Sequence, residues 1–119
     1  MKRVYISGPI SHEDYEAQKI RFKNVQRSFE NSGFEVFNPM ENGLPAEATT
    51  AEHMRRDLAT LTREENPFDT IYMMTRWTHS KGCKVEFDVA TAMGMEVIFE
   101  DVVKTLGEAY WAHLPVKFK

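Results

Sequence analysis

Cysteine is nearly missing from this chain. Cys83 stands alone, so no intrachain disulfide can form and a cytoplasmic setting is expected. No apolar run is long enough to span a bilayer, which argues against a membrane protein. The start, Met1-Lys2-Arg3-Val4-Tyr5-Ile6-Ser7-Gly8-Pro9, opens like a signal peptide but lacks the long apolar stretch and reads better as a strand. The four histidines, His12, His53, His79 and His113, are scattered without ligand spacing, so neither a metal nor another cofactor is expected. Positive charge is not in excess either. A net charge of −3 argues against a general binder of nucleic-acid polymers. Internal repeats and low-complexity segments are absent. What remains is 119 residues, 42% hydrophobic and 28% charged, which fits one globular domain over 1–119.

Punctuation along the chain alternates strands with helices. Arg3 to Ser7 is a short β-rich run that ends in the turn Ser7-Gly8-Pro9. A helix is expected over 14–32 from the spacing of Tyr15, Phe22, Val25 and Phe29, with Gly33 just past its end. A second strand over 34–37 stops at Asn38-Pro39, and 40–49 is loop-like. A second helix over 50–65 carries Met54, Leu58 and Leu61 on its apolar stripe. The nearly continuous apolar run 68–74 suits a central parallel strand. A third helix follows over 81–93, ended by Gly94, then a fourth strand over 96–99 and a last amphipathic helix over 103–113. This order implies a flavodoxin-like or Rossmann-like three-layer α/β sandwich with a four- or five-stranded parallel sheet. Ligands bind such folds outside the carboxyl ends of the strands, where the strand order reverses.

Glu86 breaks the pattern of the third helix. At helical spacing, Gly82, Cys83, Val85, Val89, Ala90, Ala92 and Met93 form its apolar arc, and Glu86 falls in the middle. Lys84, Asp88 and Thr91 lie opposite. An ionised carboxylate turned toward the core is costly unless it is paired or faces a cleft. Helix side chains lean toward the N-terminus, which would bring Glu86 back to the carboxyl edge of the sheet. There it could serve as nucleophile, general base or general acid.

Other groups fall near the same edge. Asp57 lies beside Met54 and Leu61 on the inner edge of the second helix, and Ser80 fits as N-cap of the Glu86 helix. Tyr5 could donate a hydrogen bond to Glu86 if it points to the crevice side of the first strand, and Trp77 is available to stack on a nucleobase or line the pocket. Two carboxylates, hydroxyl donors and aromatic walls suit cleavage of a glycosidic bond through an oxocarbenium-like transition state. Each group also has a plainer reading. Glu86 can be a structural carboxylate paired with Lys81 or Arg76, Asp57 a solvated helix residue, Ser80 only a cap, and Tyr5 and Trp77 core residues. Cys83 reads as helix packing.

Three elements resemble the nucleoside 2-deoxyribosyltransferase superfamily, and the similarity spans about residues 3 to 99. They are Val4-Tyr5-Ile6-Ser7-Gly8-Pro9, Arg56-Asp57-Leu58 ahead of a strand beginning near Asp69, and Ser80-x-Gly82-x-x-x-Glu86-x-x-x-Ala90-x-x-x-Gly94. The nearest likeness is to short members, many of them phage-encoded, related to nucleoside 5′-monophosphate N-glycosidases. Arg76 departs from the pattern, standing where glycine is expected before Trp77.

The resemblance implies a flavodoxin-like fold and a glutamate nucleophile that attacks the anomeric carbon, a role that maps onto Glu86. It maps an orienting or proton-donating aspartate onto Asp57 and the tyrosine that positions the nucleophile onto Tyr5. Substrate contacts are expected from Ser7, Gly8, Pro9, Ile10, Trp77, Ser80 and Gly82. A serine at the Ser80 position favours a nucleotide substrate and hydrolysis. The expectation is therefore cleavage of the N-glycosidic bond of a (deoxy)nucleoside 5′-monophosphate or nucleoside, releasing the base. The alternatives are a deoxyribosyltransferase that exchanges bases and a non-catalytic nucleotide-binding or regulatory module. A homodimer or larger homo-oligomer is expected, with the segment Tyr110-Trp111-Ala112-His113-Leu114 as a contact surface.

Overall fold

The computed structural model describes residues 2–106. Four strands and four α-helices alternate along it: β1 (Arg3–Ser7), α1 (Tyr15–Asn31), β2 (Glu35–Phe37), α2 (Thr50–Leu61), β3 (Thr70–Met73), α3 (Lys81–Ala92), β4 (Glu96–Phe99) and α4 (Glu100–Leu106). The strands form one all-parallel sheet in the order β2-β1-β3-β4. The order reverses at β1, so the crevice of an open α/β sheet falls between the carboxyl ends of β1 and β3. In register, Ser7 lies opposite Met73 there, and Met73 opposite Phe99.

Strand alternation sorts the core into two halves. Val4, Ile6, Tyr72 and Ile98 face α1 and α4, packing on Phe22, Val25, Phe29 and Val103. Tyr5, Ile71 and Met73 face α2 and α3, packing on Leu61, Cys83 and Ala90. The fold is the expected three-layer α/β sandwich, with four strands among the described residues.

Local chemistry sets the helix starts. The Asp14 carboxylate accepts from the Ala17 amide at 2.9 Å, and Thr49 and Glu52 form a reciprocal capping box at the head of α2. Gly33 follows α1 at φ +90°, a conformation that glycine alone adopts without strain.

Several details differ from the sequence expectation. Tyr15 is exposed, and Gln18 takes the first buried position of α1 instead. Helix α2 stops at Leu61 rather than at 65, capped by Thr62. On α3, Val85, Ala92 and Met93 are exposed, whereas Phe87, outside the expected arc, packs against the core. Helix α4 starts directly at Glu100, three residues early. The rest of the expected last helix, including Tyr110-Trp111-Ala112-His113-Leu114, lies outside the described residues.

Gly8 shows how tightly the first crevice loop is packed. A Cβ there would sit 2.8 Å from Met74 Sδ and 2.9 Å from Phe22 Cζ. Both neighbours are fully buried, so neither can move aside freely. Gly8→Ala is expected to destabilise the fold by about 1–3 kcal/mol through overpacking. Urea denaturation checks this, and an unchanged midpoint would show that the loop can yield.

Candidate functional site

Glu86 sits one turn and a half into α3, between Cys83 and Ala90 on the buried stripe. Its side chain leans toward the helix N-terminus and reaches the end of β1. There the Tyr5 hydroxyl donates to Glu86 Oε2, and the Ser7 hydroxyl donates to Oε1 at 2.7 Å. Tyr5 and Ser7 are two residues apart on one strand, so both side chains point to the same face. Both are fully buried, and Glu86 is 7% exposed. Among the described residues no cation lies in salt-bridge range of the carboxylate. Arg76 pairs with Glu13 instead, which removes one of the plainer readings of Glu86.

The electrostatics follow from that enclosure. Burial raises the Glu86 carboxyl, the two hydroxyls oppose it and the negative charge of Asp57 adds to it, and the net result is a value of about 7. The Tyr5 phenol lies well above its ordinary range, first because it is buried and then because Glu86 is next to it. The phenol therefore stays protonated and keeps donating.

Asp57 comes from α2, which closes over α3 where Gly82 lacks a side chain. A Cβ on Gly82 would meet Met54 Cε at 2.8 Å. The Asp57 carbonyl lies 3.4 Å from the Tyr5 hydroxyl. Asn42 donates to Asp57 Oδ1 at 2.9 Å, and the same amide nitrogen lies 3.0 Å from His53 Nδ1. Asn42 is itself held by Arg56, which donates to its carbonyl at 2.8 Å. Half-burial raises the Asp57 carboxyl above the usual carboxylate range, with Asn42, His53 and Arg56 opposing. Two carboxyl groups of raised pKa thus share one crevice, an arrangement typical of acid–base chemistry.

Ser80 caps α3, its hydroxyl accepting from the Cys83 amide at 3.2 Å. The Cys83 thiol is buried beside the hydroxyls of Ser7 and Ser80, and burial raises it above the usual thiol range, which fits packing rather than nucleophilic use. Trp77 opens a single 3-10 turn, Trp77–His79, and packs on Phe87 with ring centroids 4.8 Å apart and on Phe99 at 5.9 Å. Gly8, Pro9 and Ile10 turn toward the other half of the core. Gly8 packs on Phe22 and Met74, Ile10 on the α1 cluster, and the Pro9 carbonyl accepts from Gln18 Nε2 at 2.5 Å.

The structure therefore brings Tyr5, Ser7, Asp57, Ser80, Gly82 and Glu86 together. It sets Trp77 on an aromatic wall and uses Gly8, Pro9 and Ile10 for packing. Asn42 was not picked out from the sequence, and neither was the grip of Ser7 on Glu86. The two-residue period of β1 held the signal for the latter, since a strand that aims Tyr5 at Glu86 aims Ser7 there too.

No helix among the described residues is long and apolar enough to cross a membrane. No curated protein matches the chain. A family model described as a domain of unknown function, DUF4406, matches residues 2–99, a span that takes in every site residue named above. The chain belongs to the DUF4406 family.

Proposed function

We infer that this protein cleaves the N-glycosidic bond of a (deoxy)nucleoside 5′-monophosphate or nucleoside, with Glu86 as nucleophile. The observation that carries this is a buried carboxylate at the switch point, held by two hydroxyls and by no cation among the described residues. A carboxylate kept only for structure is normally paired with Lys or Arg. One aimed by neutral donors keeps its negative charge available for an electron-poor carbon.

In the first step a Glu86 oxygen bonds to the anomeric carbon. The C–N bond breaks, and its electron pair leaves with the base, which takes a proton from Asp57. In the second step water attacks the anomeric carbon, gives its proton back to Asp57, and frees Glu86. Tyr5 and Ser7 hold the carboxylate through both steps. Trp77 supplies an apolar wall for the base, and Ser80 with the α3 N-terminus supports the sugar or its phosphate. A homo-oligomer belongs to the same reading, and sedimentation at micromolar concentration tests it.

The direct assay is incubation with a panel of nucleosides and monophosphates, with chromatography for free base, with and without a second base. Release that needs a second base would replace hydrolysis by transfer. No release from any member of the panel would remove the glycosidase reading.

Two variants sharpen it. Tyr5→Phe takes away a hydrogen bond that holds Glu86 ionised, so the ascending limb of the pH–rate profile should move up by about one to two units. An unmoved limb would mean that Tyr5 does not tune the nucleophile. Ser80→Ala should narrow the preference for monophosphates over nucleosides, measured as the ratio of kcat/KM values. An unchanged ratio would take Ser80 out of substrate recognition.

A further inference from the structure

Arg76 stands in the left-handed region at φ +66°, a conformation that favours glycine. It is exposed, in the turn that follows β3, and its guanidinium is paired with Glu13 from the loop that follows β1. His12, next to Glu13, is also left-handed, at φ +66°. Strained residues thus flank one ion pair on both sides of the crevice, and such strain collects at binding sites and switches. Because β1 and β3 are neighbours and Ser7, which holds Glu86, lies opposite Met73, the pair joins the loops that follow the two strands flanking the switch point.

The backbone on both sides is fixed by a separate chain of polar contacts. Gln18, 2% exposed, holds the Pro9 carbonyl, and its own Oε1 accepts from Arg21 at 2.9 Å. Arg21 lies 3.5 Å from Glu100, and Glu100 accepts from the Thr75 amide at 2.8 Å. The two loops therefore stay in place if the Glu13–Arg76 pair opens, so the guanidinium can change partners without rearranging the crevice.

We propose that Arg76 is a second phosphate-reading residue of the crevice, in addition to Ser80, and that the Glu13 carboxylate occupies its anion position until a phosphomonoester displaces it. A phosphate dianion brings more charge than a carboxylate and matches the guanidinium fork equally well, so the exchange favours the phosphate. The side chain also accounts for the strain. Glycine would suit the backbone better but could not bind an anion. The location rests on the reading of the crevice as a sugar site, whereas the phosphate contact itself does not depend on catalysis.

The test is calorimetric titration of the full chain with ribose 5-phosphate and, in parallel, with ribose. The parent should bind the phosphate ester more tightly than ribose, and less tightly as salt rises. Arg76→Gly suits the backbone conformation and should keep the melting temperature, yet lose about ten- to a hundredfold in affinity for ribose 5-phosphate. Glu13→Gln should bind it several-fold more tightly, because the competing carboxylate is gone. Equal affinity in parent and Arg76→Gly would overturn the proposal, and so would weaker binding by Glu13→Gln or a parent that ignores the phosphate. Arg76-dependent binding without any base release would defeat the glycosidase reading and leave this one standing. Base release with the same KM for monophosphates in Arg76→Gly would do the reverse.

Discussion

Glu86→Gln is expected to lower base release about 10⁴-fold or more while the protein still folds. The amide fills the same space, so no cavity opens beside Cys83 and Ala90. Tyr5 can still donate to the remaining carbonyl oxygen, and the Ser7 hydroxyl can rotate to accept from the new amide group. Only the anionic nucleophile is lost. A 2-fluoro sugar substrate should add its mass to the peptide containing Glu86 in the parent and leave the Gln protein unmodified. Equal turnover by parent and variant would eliminate a covalent mechanism at this residue.

The same substitution should stabilise the protein at neutral and alkaline pH. Burial raises the folded-state pKa of Glu86 from 4.5 to about 7. Below about pH 4.5 both folded and unfolded chains hold the proton, and the carboxyl costs nothing by linkage. Between about 4.5 and 7 the unfolded chain releases it while the folded chain keeps it, so stability falls as pH rises. Above about 7 the loss is complete, at about 3 kcal/mol. Asp57, also shifted upward, acts in the same direction, and Glu52, shifted downward, in the opposite one. Both remain in the Gln variant, so the difference between the two proteins reports Glu86 together with its coupling to Asp57. Denaturation midpoints at pH 5 and pH 8 measure it. A difference that does not change with pH would mean that the Glu86 carboxyl titrates as it does in the unfolded chain. A trade of stability for a charged, enclosed carboxylate is what the proposed catalytic role of Glu86 requires.

Glu86 was legible because it contradicts its own helix, a signal that needs only the 3.6-residue period. The strands were legible as apolar runs, and four of them with three long crossovers leave few parallel topologies. The 3-10 turn at Trp77–His79 was not legible, because its left-handed entry residue is Arg76 rather than a glycine that would mark it. The early start of α4 was hidden in the same way. Glu100 and Asp101 look like loop charges, but Glu100 is 8% exposed and receives Tyr72 and the Thr75 amide. The burial of Gln18 rests on the Pro9 carbonyl and on Arg21, hydrogen bonds that the hydrophobic period of α1 does not announce. Val85 and Met93 failed for a geometric reason. On α3 only Cys83, Glu86 and Ala90 are buried, a stripe narrower than the expected arc, so the edges of that arc stay in solvent.

The hydrogen bonds to Glu86 span 81 and 79 residues of chain. Its donors lie on β1, a strand made well before α3, which then waits for β3 as its second neighbour. Contacts of such long sequence separation form late, after the loop-closure entropy has been met. No nascent or truncated chain ending before α3 can assemble the carboxylate with its hydroxyls. Once the chain is complete, activity in denaturant should vanish together with the sheet itself, because the two ends of the site have no local structure in common.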